Sequence, residues 1–312
     1  MTPSLGYWQE LIVLGPGVDA RPLLASVGLS QVQSGSRLVS RTAREYVVLV
    51  GLLPDTDYRN LLVTEEGSVT RIVLNRPEKR NALSLELMEE LIGALREASQ
   101  QDSRTIVIEG AGPAFSAGHD LSEMIGRQRE FFAHLFDRCS AMMHTIHEVP
   151  QPVIAKVHGI ATAAGCQLVA ACDLAVAAEG TRFATPGVKI GLFCSTPMVP
   201  VSRAVGRKRA MQMLLTGEPI DAATALDWGL VNRVVSHEEL DPAVLELVQA
   251  ISRSSARTVA TGKHAFYSQI DRTEDEAYEH CERVMTGNAL AHDAQEGMTA
   301  FLEKRDPVWR GE

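Results

Sequence analysis

The chain has 312 residues, 45% hydrophobic and 22% charged, with a mean hydropathy of −0.02, a balance that supports a sizeable core and excludes wholesale disorder. A formal charge of −9 and an isoelectric point near 5.5 exclude the broadly basic surface of a general nucleic-acid binder, while leaving local basic patches open. Five cysteines without a CxxC pair provide neither a disulfide framework nor a zinc ribbon, and no apolar run reaches the roughly 20 residues of a membrane-crossing helix, so the reading is a reduced, intracellular chain.

In chain order, residues 1–57 come first and differ in texture from the rest. Short apolar runs (LIVL, VVLVGLL) are broken by Gly, Pro and Ser without sustained periodicity, which reads as an N-terminal extension, either a leader or a weakly structured segment. GPGVDA (Gly15 to Ala20) fits a GxGxxA dinucleotide fingerprint superficially, but no βαβ unit or acidic residue about 20 positions on supports it, and a turn is the plainer reading. Arg21, Arg37, Arg41 and Arg44 among serines resemble a transit peptide faintly, and Glu10, Asp19 and Glu45 dilute that signal. Bacterial cytoplasm, slightly favoured, and mitochondrial matrix both stay open.

From Tyr58 the pattern sharpens. LLVTEE and VTRIVLN around Gly67 predict a hairpin closed by Pro77. A helix follows, capped by Ser84, with Leu87, Met88, Leu91, Ile92 and Leu95 on one face. TIVIEG (Thr105 to Gly110) reads as a buried strand, then a helical stretch runs to about His147. VIAKVHG (Val153 to Gly159) repeats the unit, with a small-residue turn ATAAG, a short helix from Cys166 and a strand DLAVAAE from Asp173. Beyond Pro197 helices dominate, beginning with SRAVGRKRAMQMLLTG. The fold class is α/β, with a core over 58–250 and a helical region over 251–312, and strand–helix–strand crossovers direct attention to the turns after strands.

Two such turns stand out. Phe115-Ser116-Ala117-Gly118-His119-Asp120 and Ala161-Thr162-Ala163-Ala164-Gly165-Cys166-Gln167 both follow buried strands and offer small residues whose amides can face a ligand. The second also opens a helix, where unpaired amides and the dipole favour an oxygen with negative charge. Together they suit a two-amide oxyanion hole, in which losing one donor costs about 3–4 kcal/mol of barrier. Taken alone, the first loop reads more plainly as a packing turn.

Other groups with chemical potential are weaker. His119 suits general acid or base work, or a plain turn residue, while Asp120 could orient it or cap a helix. Cys166 and Cys194 lack an activating partner. HTIHE lacks both the HExxH order and a third ligand, so no metal is expected. No GxSxG elbow or P-loop occurs.

NRPEKRNALS (Asn75 to Ser84), GPAFSAGHDLSEM, VIAKVHGIATAAGCQLVAACDLAVA, RFATPGVKIGLF and the closing TAFLEKRDPVW occur in the order and spacing of the crotonase, or enoyl-CoA hydratase/isomerase, family, which the chain resembles from Tyr58 onward. The resemblance implies a spiral of ββα turns, C-terminal helices that assemble trimers or hexamers, and a coenzyme A (CoA) thioester as substrate or ligand with no other cofactor. It places the oxyanion amides on Ala117 and Ala164. It places CoA contacts on Lys79, Arg80 and Asn81, and on Phe301 and Lys304 reaching from a neighbouring subunit.

The departures from that pattern bear on the reaction. Hydrating members carry one glutamate after the Gly-Cys of the second loop and another after the later proline, where this chain has Gln167 and Gly187. Paired carboxylates position water and move its proton, which an amide and a glycine cannot do. Gln167 could instead hold a water or the thioester, or fill its slot. The expectation is an acyl-CoA-directed protein of lipid metabolism with isomerase, thioesterase or decarboxylase-type chemistry in place of hydration. The alternative is a non-catalytic acyl-CoA-binding or regulatory oligomer. Restoring glutamate at positions 167 and 187 is expected to raise hydration.

Overall fold

The computed structural model describes residues 58–312 together with the backbone of a two-residue strand, β1 (Gly51–Leu52). GPGVDA and the arginine- and serine-rich stretch lie outside the described residues.

The predicted hairpin forms from β2 (Leu61–Glu66) and β3 (Val69–Leu74), antiparallel with Leu61 opposite Leu74. Helix α1 (Leu85–Ala98) starts at Ser84, whose Oγ accepts the Leu87 N–H at 3.2 Å. Its predicted stripe is fully inside: Leu87, Met88, Leu91 and Leu95 have no exposed surface, each side chain stabilising the fold by roughly 1.5–3 kcal/mol through burial. β4 (Thr105–Gly110) then lies parallel to β3, with Ile72 opposite Ile108.

A parallel neighbour cannot be reached through a tight turn, so each further strand needs a crossover. Helix α2 (Arg129–Glu148) carries the chain to β5 (Val153–Val157), and α3 (Ala164–Ala171) carries it to β7 (Leu174–Ala178). Closing the sheet is β10 (Arg233–Val235), and the order is β1-β2-β3-β4-β5-β7-β10. Both faces are covered, as continuous β-branched runs demand. Ile106, Ile108, Val153 and Ala155 enter the main core with α1 and α2. Val107, Ile154 and Val176 point the other way, against Leu240, Val244 and Val248 of α7 (Leu240–Ser252).

A second sheet of β6 (Ile160–Thr162), β8 (Arg182–Ala184) and β9 (Ile220–Asp221) is new relative to the sequence reading. Strands of two or three residues are too short for a period of two to register. Two helix boundaries also shift. SRAVGRKRAMQMLLTG divides at Gly206, φ +78°, into α4 (Met198–Val205) and α5 (Arg207–Thr216). Helix α3 begins at Ala164, two residues before Cys166, which matters below.

After α6 (Ala222–Trp228), the chain ends in α8 (Ala256–Gln269), α9 (Glu274–Ala289) and α10 (His292–Glu303). A buried ion pair ties α8 to the core: Lys263 Nζ lies 2.7 Å from Asp173 Oδ2 and donates to the Ile146 and Gln151 carbonyls. Tyr267 donates to the other Asp173 oxygen at 2.7 Å. Phe266, Tyr278, Met285, Leu290, Phe301 and Leu302 leave an apolar surface exposed on these helices.

Candidate active site

The segment 76–84 acts as a template on which the first loop is laid, peptide by peptide. Asn81 is fully buried at φ +53°, a conformation Asn tolerates better than most residues. Its Nδ2 donates to the Ala111 and Ala114 carbonyls at 2.8 and 2.7 Å, its Oδ1 accepts the Arg76 N–H, and its own carbonyl accepts the Ser116 hydroxyl at 2.8 Å. The Arg80 carbonyl takes the Ala117 N–H at 2.9 Å. Leu83 then bridges the loop twice, donating to the Gly118 carbonyl at 2.7 Å and accepting the Asp120 N–H at 3.1 Å.

That bridge fixes the direction of one further donor. In a trans peptide the C=O and N–H point opposite ways. Because the Gly118 carbonyl faces Leu83, the His119 N–H is turned away from it, and no acceptor among the described residues takes it. Ala117 therefore does not fill the role expected of it: its amide is committed to Arg80 within the fold, and the unengaged amide of this loop belongs to His119. Alternation of peptide directions along an extended strand was the available signal.

Ala164 opens the second loop's helix. As the first residue of α3 its amide has no intrahelical acceptor. Ala163, before it, is held at φ +49°, ψ −118°, an uncommon conformation for a residue with a side chain. Its amide bonds to the Ala184 carbonyl at 2.9 Å, and its carbonyl accepts the Gln167 N–H at 3.0 Å. The second sheet, through β8, thus anchors the residue that aims the Ala164 amide.

The two loops touch. Ser116 and Ala161 form a bridge, with the Thr162 N–H on the Ser116 carbonyl at 3.0 Å and the Thr162 hydroxyl on the Ala117 carbonyl at 3.1 Å. A Cβ on Gly118, φ +87°, would lie 2.8 Å from both the Ala163 Cβ and the Thr162 oxygen and 3.2 Å from the Ala164 nitrogen. A Cβ on Gly165 would lie 2.4 Å from the Ser116 oxygen. Only glycine lets the loops approach this closely.

Around them the side chains divide into committed and unpartnered. Asp120 caps the short turn Leu121–Glu123, accepting the Ser122 N–H and hydroxyl at 3.1 and 2.5 Å, and pairs with Arg76 at 2.9 Å. Burial raises its carboxyl, but Ser122 and Arg76 outweigh that and hold it below the usual range. It makes no hydrogen bond to His119. The His119 ring instead meets Phe136 of α2 edge-on, centroids 5.7 Å apart, and both ring nitrogens are shielded from solvent without a partner among the described residues. Gln167 is buried, and its Oε1 accepts the Cys139 thiol at 3.7 Å. Burial pushes the Cys139 and Cys166 thiols up to about 12, which removes them as thiolate nucleophiles.

Position 187 is closed. A Cβ on Gly187 would sit 2.0 Å from the Leu192 carbonyl oxygen and 2.8 Å from Cys194 Sγ, and the Leu192 N–H donates to the Gly187 carbonyl at 3.0 Å. The expectation that glutamate could simply be restored there fails on space: the backbone of the following turn occupies it.

A family model described as enoyl-CoA hydratase/isomerase matches residues 64–312. The chain belongs to the enoyl-CoA hydratase/isomerase family. It is 48% identical over 256 residues to enoyl-CoA hydratase domain-containing protein 3, mitochondrial, of Danio rerio, covering 81% of this chain and 89% of that protein. The human protein of that name is 48% identical over 246 residues, 78% of this chain and 81% of its own length. Among solved structures, an enoyl-CoA hydratase of Mycobacterium smegmatis superposes with a TM-score of 0.79 at 47% identity, covering 80% of this chain and 98% of that one. The human domain-containing protein 3 superposes with a TM-score of 0.78 at 45% identity, covering 80% and 100%. The crotonase-type α/β architecture with C-terminal helices is thereby shown.

The remaining crotonase positions separate clearly. Lys79 and Arg80 are exposed. Asn81, by contrast, is sealed within the template and offers neither side chain nor amide to a ligand. Phe301, 82% exposed, lines a groove with Ser255, Asp293, Met298 and Trp309 rather than joining the two loops, and Lys304 caps the same helix at φ +56°. Arg76 was missed as a site residue. It donates to the Ala82 carbonyl at 2.6 Å and to Asp120, fastening both sides of the Leu83 bridge.

Proposed function

We propose that this crotonase binds an acyl-CoA thioester with its carbonyl oxygen between the main-chain amides of His119 and Ala164, and that it polarises the thioester toward an enolate or a tetrahedral oxyanion. The observation that carries this reading is a pair of unengaged amides on two loops in direct contact, one turned outward by the Leu83 bridge and the other at a helix N-terminus. Fixed donors of this kind stabilise developing negative charge because they need no reorganisation.

Hydration by a carboxylate pair has no support. Gln167 is an amide engaged with Cys139, and position 187 has no room for a side chain. Isomerase, thioesterase or decarboxylase-type chemistry remains for the polarised thioester. The solvent-facing Lys79 and Arg80 suit CoA phosphates despite the acidic total. The exposed apolar residues of α8, α9 and α10 suit a trimer or hexamer, which would also decide whether Phe301 and Lys304 reach a neighbour's ligand. A mitochondrial relative and a bacterial one match comparably, so both compartments fit.

The test is a panel of acyl-CoAs titrated by calorimetry, followed by mass spectrometry of each incubation. Tight binding with a new product, and crotonyl-CoA turnover far below that of an ordinary hydratase, support the reading. Binding without product anywhere on the panel favours the regulatory alternative. Crotonyl-CoA hydration at an ordinary hydratase rate refutes the loss of hydration.

A further inference from the structure

The two amides account for the thioester oxygen but leave the carbon chemistry without an agent. Among the described residues, the carboxylates of the first loop and the turn after it are already engaged: Asp120 by Arg76 and Ser122, and Glu123 by the Leu85 N–H at 3.0 Å. On α2, Cys139 donates to Gln167, and His134 is exposed beside Glu89 at 3.7 Å. On α3, Cys166 is fully buried. What remains is the His119 imidazole, with both nitrogens shielded and without a hydrogen bond of ordinary geometry among the described residues, the Leu83 carbonyl acting on the ring from the backbone side and the Phe136 ring packed against it.

A buried imidazole without a hydrogen bond costs folding free energy that a turn residue of another type would not. The Leu83 carbonyl, the backbone group that acts on the ring, also takes the Asp120 N–H. Moreover, the ring branches from the same Cα whose amide is one of the two proposed oxyanion donors. The imidazole that would act on the acyl carbons and the amide that would hold the thioester oxygen therefore belong to one residue.

We propose that the neutral imidazole of His119 takes and returns the proton at the α-carbon of the bound acyl-CoA. In the forward step a ring nitrogen forms an N–H bond as the α C–H bond breaks. The C–H electron pair becomes the C=C π bond of the enolate, and the carbonyl π pair moves onto the oxygen held by the His119 and Ala164 amides. Imidazolium trades that proton with solvent and returns one to the same carbon, so no oxidant, reductant or further reactant is consumed. Burial lowers the ring's pKa, with the Leu83 carbonyl opposing, which keeps the imidazole in its basic form at neutral pH.

This inference rests on the two-amide reading, and the experiment separates the two. Full-length protein is incubated with butyryl-CoA in D2O, and loss of the α-proton signal is followed by NMR. In parallel, the carbonyl stretch of bound carbonyl-labelled butyryl-CoA is recorded by isotope-edited infrared spectroscopy. The wild type should exchange α-protons, with a rate that rises with pH and levels off below the ordinary imidazole value of about 6.5. His119→Ala should lose about 100- to 10,000-fold in exchange while keeping the red-shifted carbonyl, because the main-chain amide survives the substitution. His119→Gln, which retains polarity and bulk, should lose the same and guards against a folding artefact in the alanine variant. Exchange that persists in either variant overturns the role of His119. A red-shifted carbonyl with no exchange in the wild type overturns it too, while leaving the amide pair standing. An unshifted carbonyl overturns both.

Discussion

Gly187→Ala is the simplest perturbation of the position where a second carboxylate would be needed. The added Cβ would lie 2.0 Å from the Leu192 carbonyl oxygen, 2.8 Å from Cys194 Sγ and 3.2 Å from the Leu192 carbonyl carbon, whereas ordinary contact begins near 3.4 Å. The carbonyl must retreat by more than 1 Å, and it belongs to the turn whose Leu192 N–H bonds back to Gly187 at 3.0 Å. Overpacking of this sort costs about 1–3 kcal/mol, and losing that hydrogen bond adds about 1 kcal/mol. Denaturant unfolding should therefore show Gly187→Ala destabilised by roughly 2–4 kcal/mol. Gly187→Glu should be at least as unstable and should gain no crotonyl-CoA hydration, alone or with Gln167→Glu. A Gly187→Glu protein of wild-type stability, or a double variant that hydrates crotonyl-CoA efficiently, would refute the claim that backbone fills this space.

Three other predictions concern the supports of the site and the C-terminal helices. Arg76→Leu takes the charged partner from the Asp120 carboxylate, leaving it Ser122, and one of two donors from the Ala82 carbonyl, leaving it the Ser84 N–H; urea unfolding should lose about 3 kcal/mol, and an unchanged midpoint would show that the pair is dispensable. Lys263→Met leaves the Asp173 carboxylate in the core without its counter-charge, held by the Tyr267 hydroxyl and the Val153 N–H, and should cost about 3 kcal/mol, with Asp173→Asn in the same chain recovering part of it; equal stability of single and double variants would contradict this. Burial pushes the Asp293 carboxyl up, but the Ser255 hydroxyl and the Arg310 and Gly311 amides outweigh it and hold the carboxyl at about 2. Because the folded value lies below the ordinary one, this contribution is present above the unfolded carboxyl range near 3.8 and is lost as pH falls toward 2. Hydrogen exchange should show Arg310 and Gly311 losing protection over that window, and protection persisting at its acid end would argue against the latch.

Long elements with strong periodicity were legible in the sequence for a physical reason: α1 and the strands around TIVIEG and VIAKVHG bury the residues whose spacing announced them. The second sheet was not, because β6, β8 and β9 have two or three residues each and depend on long-range pairing. Ala163 shows the consequence. Read as one member of a small-residue turn, it is held by the hydrogen bond its N–H donates to the carbonyl of Ala184, in a strand 21 positions later. The choice between the Ala117 and His119 amides likewise depends on which peptide Leu83 bridges, a tertiary fact that composition does not carry. Gln167 and Gly187 were noticeable as chemical absences in the sequence, but only the Leu192 carbonyl shows that the second is also a filled space.

The most direct test is a crystal structure of the full chain with a non-hydrolysable acyl-CoA. The acyl oxygen should lie about 3 Å from the main-chain nitrogens of both His119 and Ala164, with the Ala117 amide still on the Arg80 carbonyl. An acyl oxygen found against any other pair of donors, or in solvent, would contradict the account.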